Sequence, residues 1–365
     1  MRNLCLILIF IFVECSFAQT ITGVVLDAKT KHPIESASVY FDNTTIGTST
    51  DLNGTFEIEG NQSIKTVLVI SFLGYETVKI SDYKSNKFYK VLMSEEENLL
   101  DEVVVNANEG MSYERKLAEF NREFLGTTPN GKSCKILNES DLRLRFNKKT
   151  RQLIVNSKRP IKVRNSNLGY LITYDVRNFT LDYSYVNSES ETYTVRSMYY
   201  EGTSFYESVI SEDSTGILDL REKTYKGSIL HFMRSLRDTV LEENNYQVFR
   251  KGFLVKPDKY IQVRQEPNSD IVKVKLKLPL SILYKGEHQS GLRKTSKNRF
   301  NKQLKTRDQT IVINSQGSES NQSYFNTEIK IDNYGNFSPP NVFGFIGYMG
   351  TLRVGDTLPL DYLLN

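Results

Sequence analysis

The amino-acid sequence predicts a mainly β protein: a small N-terminal β-sandwich followed by a larger β-rich domain with one or two helices. The chain has 21 Tyr and 20 Phe but no Trp, and Tyr and Phe favour the half-buried pleated surfaces of strands. Residues 20–95 alternate apolar and polar positions in short runs, interrupted by turn residues at the spacing typical of a sandwich. Thr22, Val24 and Leu26 share one side of the first strand. A strict alternation returns at residues 272–278.

The first 18 residues have the pattern of a secretory signal peptide. Arg2 supplies a positive charge, residues 4–13 form a short apolar core, and Ser16 and Ala18 are the small residues before a cleavage site. The apolar run is too short to anchor the chain in a bilayer. We therefore expect export, cleavage after Ala18, and no transmembrane segment in the mature chain.

Cysteine usage and net charge restrict the function classes. Cys5 and Cys15 lie in the predicted signal peptide, so the mature chain keeps Cys134 alone and cannot form an internal disulfide. Cys15 suggests a lipoprotein, but Glu14 stands where a lipid-attachment signal has a small residue, so we prefer cleavage after Ala18. The net charge of +4 is too small to predict nucleic acid as a partner.

Four segments of the N-terminal region resemble the carboxypeptidase regulatory-like domain. They are ITGVVLD at 21–27, PIESASV at 33–39, GTSTDLNGTF at 47–56 and SFLGYE at 71–76. The resemblance implies a transthyretin-type sandwich, with seven strands in Greek-key order, over residues 20–95. The family is common at the N-termini of Bacteroidetes envelope proteins, so the resemblance also implies a location in the periplasm or at the outer-membrane surface.

Residues 96–119 are predicted to form a linker and the start of a helix. The segment LLDEVVV at 99–105 resembles the connection between this domain and the plug of TonB-dependent transporters. A transporter needs a plug and a barrel of many strands, and too few residues remain for that plan. Apolar residues at helical spacing then predict a helix, with Ser112 as a potential N-cap and Gly126 just past its end. The spaced apolar residues are Tyr113, Leu117, Phe120 and Phe124.

Residues 120–365 are predicted to form one β-rich domain of unknown function. Segments at 123–126, 167–170, 227–232 and 358–362 resemble an uncharacterised region that follows the module in some Bacteroidetes proteins, and that region carries no assigned activity. Besides 272–278, alternating runs lie at 193–199, 311–313 and 329–331. An apolar stripe predicts a second helix from Ser228 to about Glu242.

Candidate catalytic residues are few. A zinc carboxypeptidase needs His and carboxylate ligands with a further carboxylate as base. Residues 32–35 spell His-x-x-Glu, but they fall in a turn of the sandwich. His231 lies in the apolar stripe of the second helix, and His288 lies in an expected polar loop. Cys134 has no supporting motif and is expected to be structural. The sequence therefore predicts that the chain is not an enzyme and lacks the zinc carboxypeptidase catalytic domain.

The segment Asp51-Leu52-Asn53-Gly54 imitates the start of a calcium loop. It lacks the carboxylate at the twelfth position, where Gln62 stands. An Asn-Gly β-turn explains the segment better. We therefore predict no metal and no cofactor.

One basic stretch stands out near the C-terminus, with Phe300 and Leu304 among its cations. Its cations are Arg293, Lys294, Lys297, Arg299, Lys302, Lys305 and Arg307. Such a stretch is suited to acidic glycans, lipopolysaccharide phosphates or an acidic protein surface. A solvated loop is the simpler interpretation.

The predicted function is non-catalytic binding or scaffolding in the cell envelope, with the sandwich as a docking module and an envelope protein or glycan as partner. Peripheral association with the outer membrane is compatible with this hypothesis. The alternative is a secreted hydrolase acting on glycan or peptide through C-terminal carboxylates, since glycoside hydrolysis needs two carboxyl groups roughly 5–10 Å apart. A pocket with such a pair at raised pKa would favour the hydrolase, and a flat or grooved apolar patch would favour binding.

Overall fold

The computed structural model describes most of the chain. The described ranges are 19–60, 64–85, 87–96, 110–210, 215–294, 328–340 and 342–364. The predicted features outside them are the signal peptide (1–18), the 99–105 segment, the basic residues within 297–307 and the run at 311–313. No helix in the described ranges is both long and apolar enough to cross a membrane.

Residues 19–96, called the module below, contain the predicted sandwich of seven strands in two sheets. The strands are β1 (Gln19–Asp27), β2 (Ser38–Phe41), β3 (Gly47–Ser49), β4 (Thr55–Gly60), β5 (Leu68–Ser71), β6 (Val78–Ile80) and β7 (Phe88–Met93). One sheet has the order β4-β1-β7 and the other β3-β2-β5-β6. β1 and β7 are parallel, and the other neighbours are antiparallel.

The two sheets of the module differ in the burial of their outer faces. In β4, Phe56 and Ile58 point into the core whereas Glu57 and Glu59 are exposed. In β5, three consecutive residues from Leu68 are all buried. A strand that is covered on both sides needs apolar residues at every position, and this explains the continuous apolar run of β5.

Residues 110–225 build a region around a six-stranded sheet. Its strands are β8 (Cys134–Ile136), β9 (Leu142–Asn147), β10 (Gln152–Ser157), β11 (Ile161–Asn165), β12 (Tyr170–Asn187) and β13 (Thr192–Ser208). The order is β8-β11-β12-β10-β9, and β13 pairs with β12 in a long hairpin. The helices are α1 (Tyr113–Leu125), α2 (Pro129–Lys132) and α3 (Thr215–Tyr225). The α1 rings of Phe120 and Phe124 lie edge-on to Phe179 at 4.8 Å and Tyr174 at 5.1 Å.

Residues 229–351 enclose a separate hydrophobic cluster between two further sheets and a helix. The elements are α4 (Ile229–Arg237), β14 (Tyr246–Arg250), β15 (Phe253–Leu254), β16 (Ile261–Gln265), β17 (Val272–Leu276), β18 (Leu280–Tyr284), β19 (His288–Lys294), β20 (Glu328–Ile331), β21 (Phe337–Ser338), β22 (Phe343–Gly347) and α5 (Tyr348–Thr351). The sheet orders are β15-β14-β18-β19-β22 and β16-β17-β20-β21.

The C-terminal segment joins these two regions. Val354 and Leu358 belong to the core around the six-stranded sheet. Arg234 of α4 donates to the carbonyls of Leu360 at 2.8 Å and Tyr362 at 2.9 Å. The described residues from 110 to 364, called the body below, thus contain two hydrophobic clusters. The predicted division of the chain into domains stays a prediction.

The predicted first helix is confirmed at both ends. The Ser112 side chain accepts a hydrogen bond from the Arg115 backbone N–H at 3.2 Å, which caps the N-terminus of α1. Gly126 follows the last turn with a φ of 99°, a conformation that suits glycine and ends the helix.

The second helix begins after Ser228 as predicted, but the predicted end near Glu242 is wrong. α4 ends at Arg237, because Thr239 adopts a φ of 59° and a right-handed helix cannot continue through it. Similarly, β17 ends at Leu276 rather than at residue 278.

Helix α3 was not predicted, because its buried face is partly polar. Arg221 is only 6% exposed. Its guanidinium lies over the Tyr170 ring at 3.7 Å and donates to the carbonyls of Leu168 and Gly169 at 2.7 and 3.0 Å. These contacts satisfy a buried cation whose presence interrupts the apolar stripe that a sequence search detects.

We expect Phe124→Ala to lower the free energy of unfolding by about 3–5 kcal/mol, because the ring is fully buried among other aromatic side chains. Urea denaturation followed by circular dichroism measures the change. The control is Tyr113→Ala on the same helix, where the side chain is 49% exposed and the expected change is within about 0.5 kcal/mol. Equal losses in the two variants would contradict the packing of α1 against the sheet.

Candidate binding surface

The three histidines occupy structural positions. His231 is 7% exposed, and burial together with nearby Arg234 lowers its pKa to about 4. Its Nδ1 accepts the backbone N–H of Gly227 at 3.1 Å. His288 is the first residue of β19 rather than part of a loop, and its ring stacks on Tyr348 at 4.1 Å. His32 lies in an exposed turn. Within the described ranges no three His, Cys, Asp or Glu side chains come together as a metal site.

Cys134 and the Asp51 segment also have structural explanations. Burial raises the pKa of the Cys134 thiol to about 12, so the thiolate needed for nucleophilic attack does not form near neutral pH. The Asp51 carboxylate accepts the backbone N–H groups of Asn53 at 2.9 Å and Thr55 at 2.8 Å. These bonds build the predicted turn, in which Gly54 has a φ of 71°.

The β4-β1-β7 sheet presents an apolar surface to solvent. The strand register pairs Thr22 with Phe88 and Leu26 with Leu92, so these side chains share the side that faces away from the core. Phe88 is 62% exposed and Leu92 is 43% exposed. We call this surface the outer sheet face. Its residues are Thr22, Val24, Leu26, Thr55, Glu57, Phe88, Lys90 and Leu92.

An open groove adjoins the outer sheet face. Its volume is about 450 Å³, and it lies between β1, β4 and Phe88 on one side and Thr48 and Ser49 of β3 on the other. Asp51 and Glu57 contribute carboxylates to the lining. Hydrogen bonds from Thr55 lower the pKa of Asp51, so this carboxyl is not a proton donor at neutral pH.

The sequence analysis did not predict this surface, because the pairing of β1 with β7 is not apparent from the sequence. Thr22, Val24 and Leu26 share one side of β1 as predicted, but the core side is the other one, with Ile21 and Val25. The available signal was that β1 carries apolar residues on both of its sides.

The opposite side of the module is joined to the body through residues 42–46, the junction loop. Asn43 N–H donates to the Ser204 carbonyl at 2.7 Å, and Tyr206 N–H donates to the Thr44 carbonyl at 3.0 Å. Leu360 N–H donates to the Asn43 carbonyl at 2.7 Å. The junction loop therefore connects both to β13 and to the C-terminal segment.

Side chains of the β3-β2-β5-β6 sheet extend this contact. Tyr40 is 2% exposed, and its ring lies 5.3 Å from that of Phe205. A Cβ on Gly47 would lie 2.6 Å from the Phe205 ring, so only glycine permits this approach. Lys65 N–H donates to the Asp332 carboxylate at 2.7 Å. The body consequently covers the central part of the outer side of this sheet, where Tyr40 and Val69 are buried.

Three carboxyl groups in the described ranges have raised pKa values, and each serves a structural contact. Burial raises the pKa of Asp42 to about 6, although its Oδ1 accepts the Ser204 N–H at 2.8 Å. Burial also raises the pKa of Asp332 and Asp356. Asp356 accepts the Thr128 hydroxyl at 2.7 Å. All three therefore bind protein donors rather than facing the groove beside the module.

The predicted basic stretch begins where β19 ends. Arg293 is exposed, and its backbone pairs with Gly344 of β22. Lys294 is the last residue of β19. The remaining cations, Lys297, Arg299, Lys302, Lys305 and Arg307, lie outside the described ranges. Contact of this stretch with an anionic ligand stays a prediction.

These features define a β-sandwich module with an exposed apolar face, fixed to a larger β-rich body. Residues 21–105 match the CarboxypepD_reg-like domain, which confirms the resemblance found in the sequence. The chain is also similar to the TonB-dependent receptor SusC of Bacteroides thetaiotaomicron, with 35% identity over 99 residues. That alignment covers 27% of this chain and 9% of the receptor.

Two solved structures are similar to parts of this chain. A cohesin–X-dockerin complex from Acetivibrio cellulolyticus has 26% identity and a TM-score of 0.18, covering 20% of this chain and 56% of that chain. A candidate membrane-associated protein of unknown function from Bacteroides fragilis has 12% identity and a TM-score of 0.17, covering 74% of this chain and 92% of that chain.

The raised pKa of Asp42 makes the stability of the protein depend on pH. A carboxyl whose pKa rises on folding, here from 3.8 to about 6, stabilises the fold below its unfolded pKa, and this stabilisation disappears as the pH rises through 6. We expect Asp42→Asn to match the wild type near pH 4 and to exceed it in free energy of unfolding at pH 7, by on the order of 2 kcal/mol. Urea denaturation across this range measures the difference.

Asp27→Asn is the control, because its effect on the free energy of unfolding should depend on pH in the opposite direction. Hydrogen bonds from the Thr30 N–H and the Tyr75 hydroxyl hold the pKa of Asp27 well below its usual range. Its stabilisation is therefore present at pH 7 and lost as the pH falls, so this variant should be less stable than the wild type at pH 7. A parallel pH dependence of the two variants would contradict the burial of Asp42 in the junction.

Proposed function

We infer that the chain is a non-catalytic envelope protein whose module docks a partner protein on the outer sheet face. The single observation that carries this proposal is the unequal coverage of the module. The body covers the central part of the β3-β2-β5-β6 sheet, whereas the outer sheet face keeps Phe88 and Leu92 in solvent. Sandwiches usually place polar residues on their outward positions, so apolar residues there indicate a contact surface.

The chemistry of the outer sheet face favours a protein over a glycan. Val24, Leu26 and Leu92 are aliphatic, and aliphatic side chains pack against other aliphatic and aromatic side chains. Glu57 and Lys90 place one charge of each sign on the same face, and such charges fix the orientation of a protein partner. The predicted signal peptide and the match of residues 21–105 to the CarboxypepD_reg-like domain support a partner in the cell envelope.

Within the described ranges, no carboxyl group with a raised pKa lines the groove beside the module. Glycoside hydrolysis requires two carboxyl groups facing one pocket, one of them protonated near neutral pH. In the described ranges the carboxyl groups with raised pKa values are hydrogen-bonded to protein groups. They are Asp42, Asp332 and Asp356. The groove beside the module is lined by the carboxylates of Asp51 and Glu57, and hydrogen bonds from Thr55 lower the pKa of Asp51, so Asp51 does not serve as the protonated acid. Binding is therefore the better-supported function.

A photo-crosslinking amino acid in place of Phe88 tests the proposal in cells that export the full chain. We expect one envelope protein to be crosslinked at this position, because Phe88 is the most exposed apolar side chain of the outer sheet face. Adding Leu92→Asp should reduce the crosslink strongly, since a charge in an apolar contact must be desolvated. Mass spectrometry identifies the adduct, and gel analysis measures its yield.

The matched control places the same crosslinker at Leu73, which is 61% exposed but lies in the β5–β6 turn of the module. A surface substitution there should leave the fold intact. The proposal would be contradicted by equal adduct yields at Leu73 and Phe88. It would also be contradicted if Leu92→Asp left the yield at Phe88 unchanged.

A further inference from the structure

The β14–β15 hairpin carries the most exposed large apolar side chain of the described ranges. Its turn residues, Lys251 and Gly252, have φ values of 51° and 84°, the combination found in tight two-residue hairpins. Phe253 and Leu254 follow the turn and are 76% and 63% exposed. A rigid turn thus holds two apolar side chains in water, which is unfavourable unless another surface covers them.

The strand register brings further residues to the same end of this sheet. Phe249 pairs with Ser281, and Ser281 pairs with Gly291. Residues that precede Ser281 and residues that follow Gly291 therefore lie at the end where the β14–β15 turn stands. Arg250 provides a direct contact, since its Nη1 donates to the Pro279 carbonyl at 3.3 Å.

Cations are frequent in the sequence segments on either side of the exposed apolar side chains. Leu278, 42% exposed, stands next to Pro279, and Arg293 is exposed two residues after Gly291. Residues 250–260 and 277–279 contain five cations and one carboxylate, that of Asp258. The cations are Arg250, Lys251, Lys256, Lys259 and Lys277. We call this end of the sheet the tip surface.

We propose that the tip surface binds an anionic lipid membrane, with Phe253 and Leu254 entering the boundary between headgroups and acyl chains. Peripheral membrane binding combines buried apolar area with attraction between cations and anionic headgroups, and the tip surface supplies both. The inference goes beyond the proposed function, since it uses a different sheet and none of the residues of the outer sheet face.

The shape and charge of the tip surface favour a membrane over a protein partner. Phe253 and Leu254 form a two-residue edge strand directly after a tight turn, so they offer a small apolar area rather than a broad face. Protein interfaces that persist need a larger, complementary contact. The cations of these segments outnumber the single carboxylate, and this excess of positive charge complements an extended layer of anionic headgroups.

The absence of tryptophan from the sequence allows a clean test. Phe253→Trp makes the tip residue the sole tryptophan of the full mature chain. With phosphatidylcholine vesicles that contain phosphatidylglycerol, we expect its emission to shift to shorter wavelength as the ring leaves water. Vesicles of phosphatidylcholine alone should give a much smaller shift, and salt should weaken the response by screening the headgroup charge.

Co-sedimentation with the same vesicles measures the contribution of each part. Phe253→Ser/Leu254→Ser should lower the partition coefficient by about tenfold or more, because both apolar contacts are lost. Lys251→Gln should lower it by about fivefold, the loss expected for one cation near an anionic surface. Both changes lie at exposed positions and should leave the fold intact.

Two controls separate this inference from the proposed function. Leu52→Trp carries a tryptophan at a position of similar exposure, 75%, in the module, and its emission should not respond to vesicles. Phe88→Ser/Leu92→Ser should bind vesicles like the wild type while losing its protein partner. No emission shift for Phe253→Trp, an equal shift for Leu52→Trp, or unchanged sedimentation of Phe253→Ser/Leu254→Ser would overturn the membrane proposal and leave the docking proposal standing.

Discussion

Main-chain hydrogen bonds between the junction loop and strand β13 hold the module against the body. Backbone groups that are removed from water must find partners, and here the N–H and carbonyl groups of Asn43 find theirs in Ser204 and Leu360. Asp42 and Asp332 add carboxylates that accept backbone N–H groups across the same contact. Because this contact occupies one sheet of the module, the other sheet is left to face solvent, and the proposed docking surface follows from that.

Features that depend on neighbouring residues were predictable. Ser112 and Gly126 mark the two ends of α1, and both were predictable because a cap and a positive φ act within one helical turn. The alternation of β17 holds because one of its faces is buried. Features that depend on distant residues were not: the junction joins Asp42 to Ser204 across 162 positions and Thr45 to Asp361 across 316. No local sequence pattern in either segment indicates its distant partner.

The candidate surfaces were harder to predict because residue type alone does not determine exposure to solvent. Val24 and Leu26 have the apolar character of core residues, and only the register with β7 shows that they face outward. Phe253 likewise follows the pattern of a strand that packs inward, yet β15 is a two-residue edge strand at the end of its sheet. Conversely, the basic stretch was conspicuous in sequence, and of its seven cations only Arg293 and Lys294 lie within the described ranges.

The route by which force crosses the molecule follows from the junction loop. A partner that pulled on the outer sheet face would load the sandwich first, and the load would then pass through residues 42–46 into the long β12–β13 hairpin. Several hydrogen bonds at this contact, from Asn43, Tyr206 and Leu360, share the load, so they would have to break together rather than one after another.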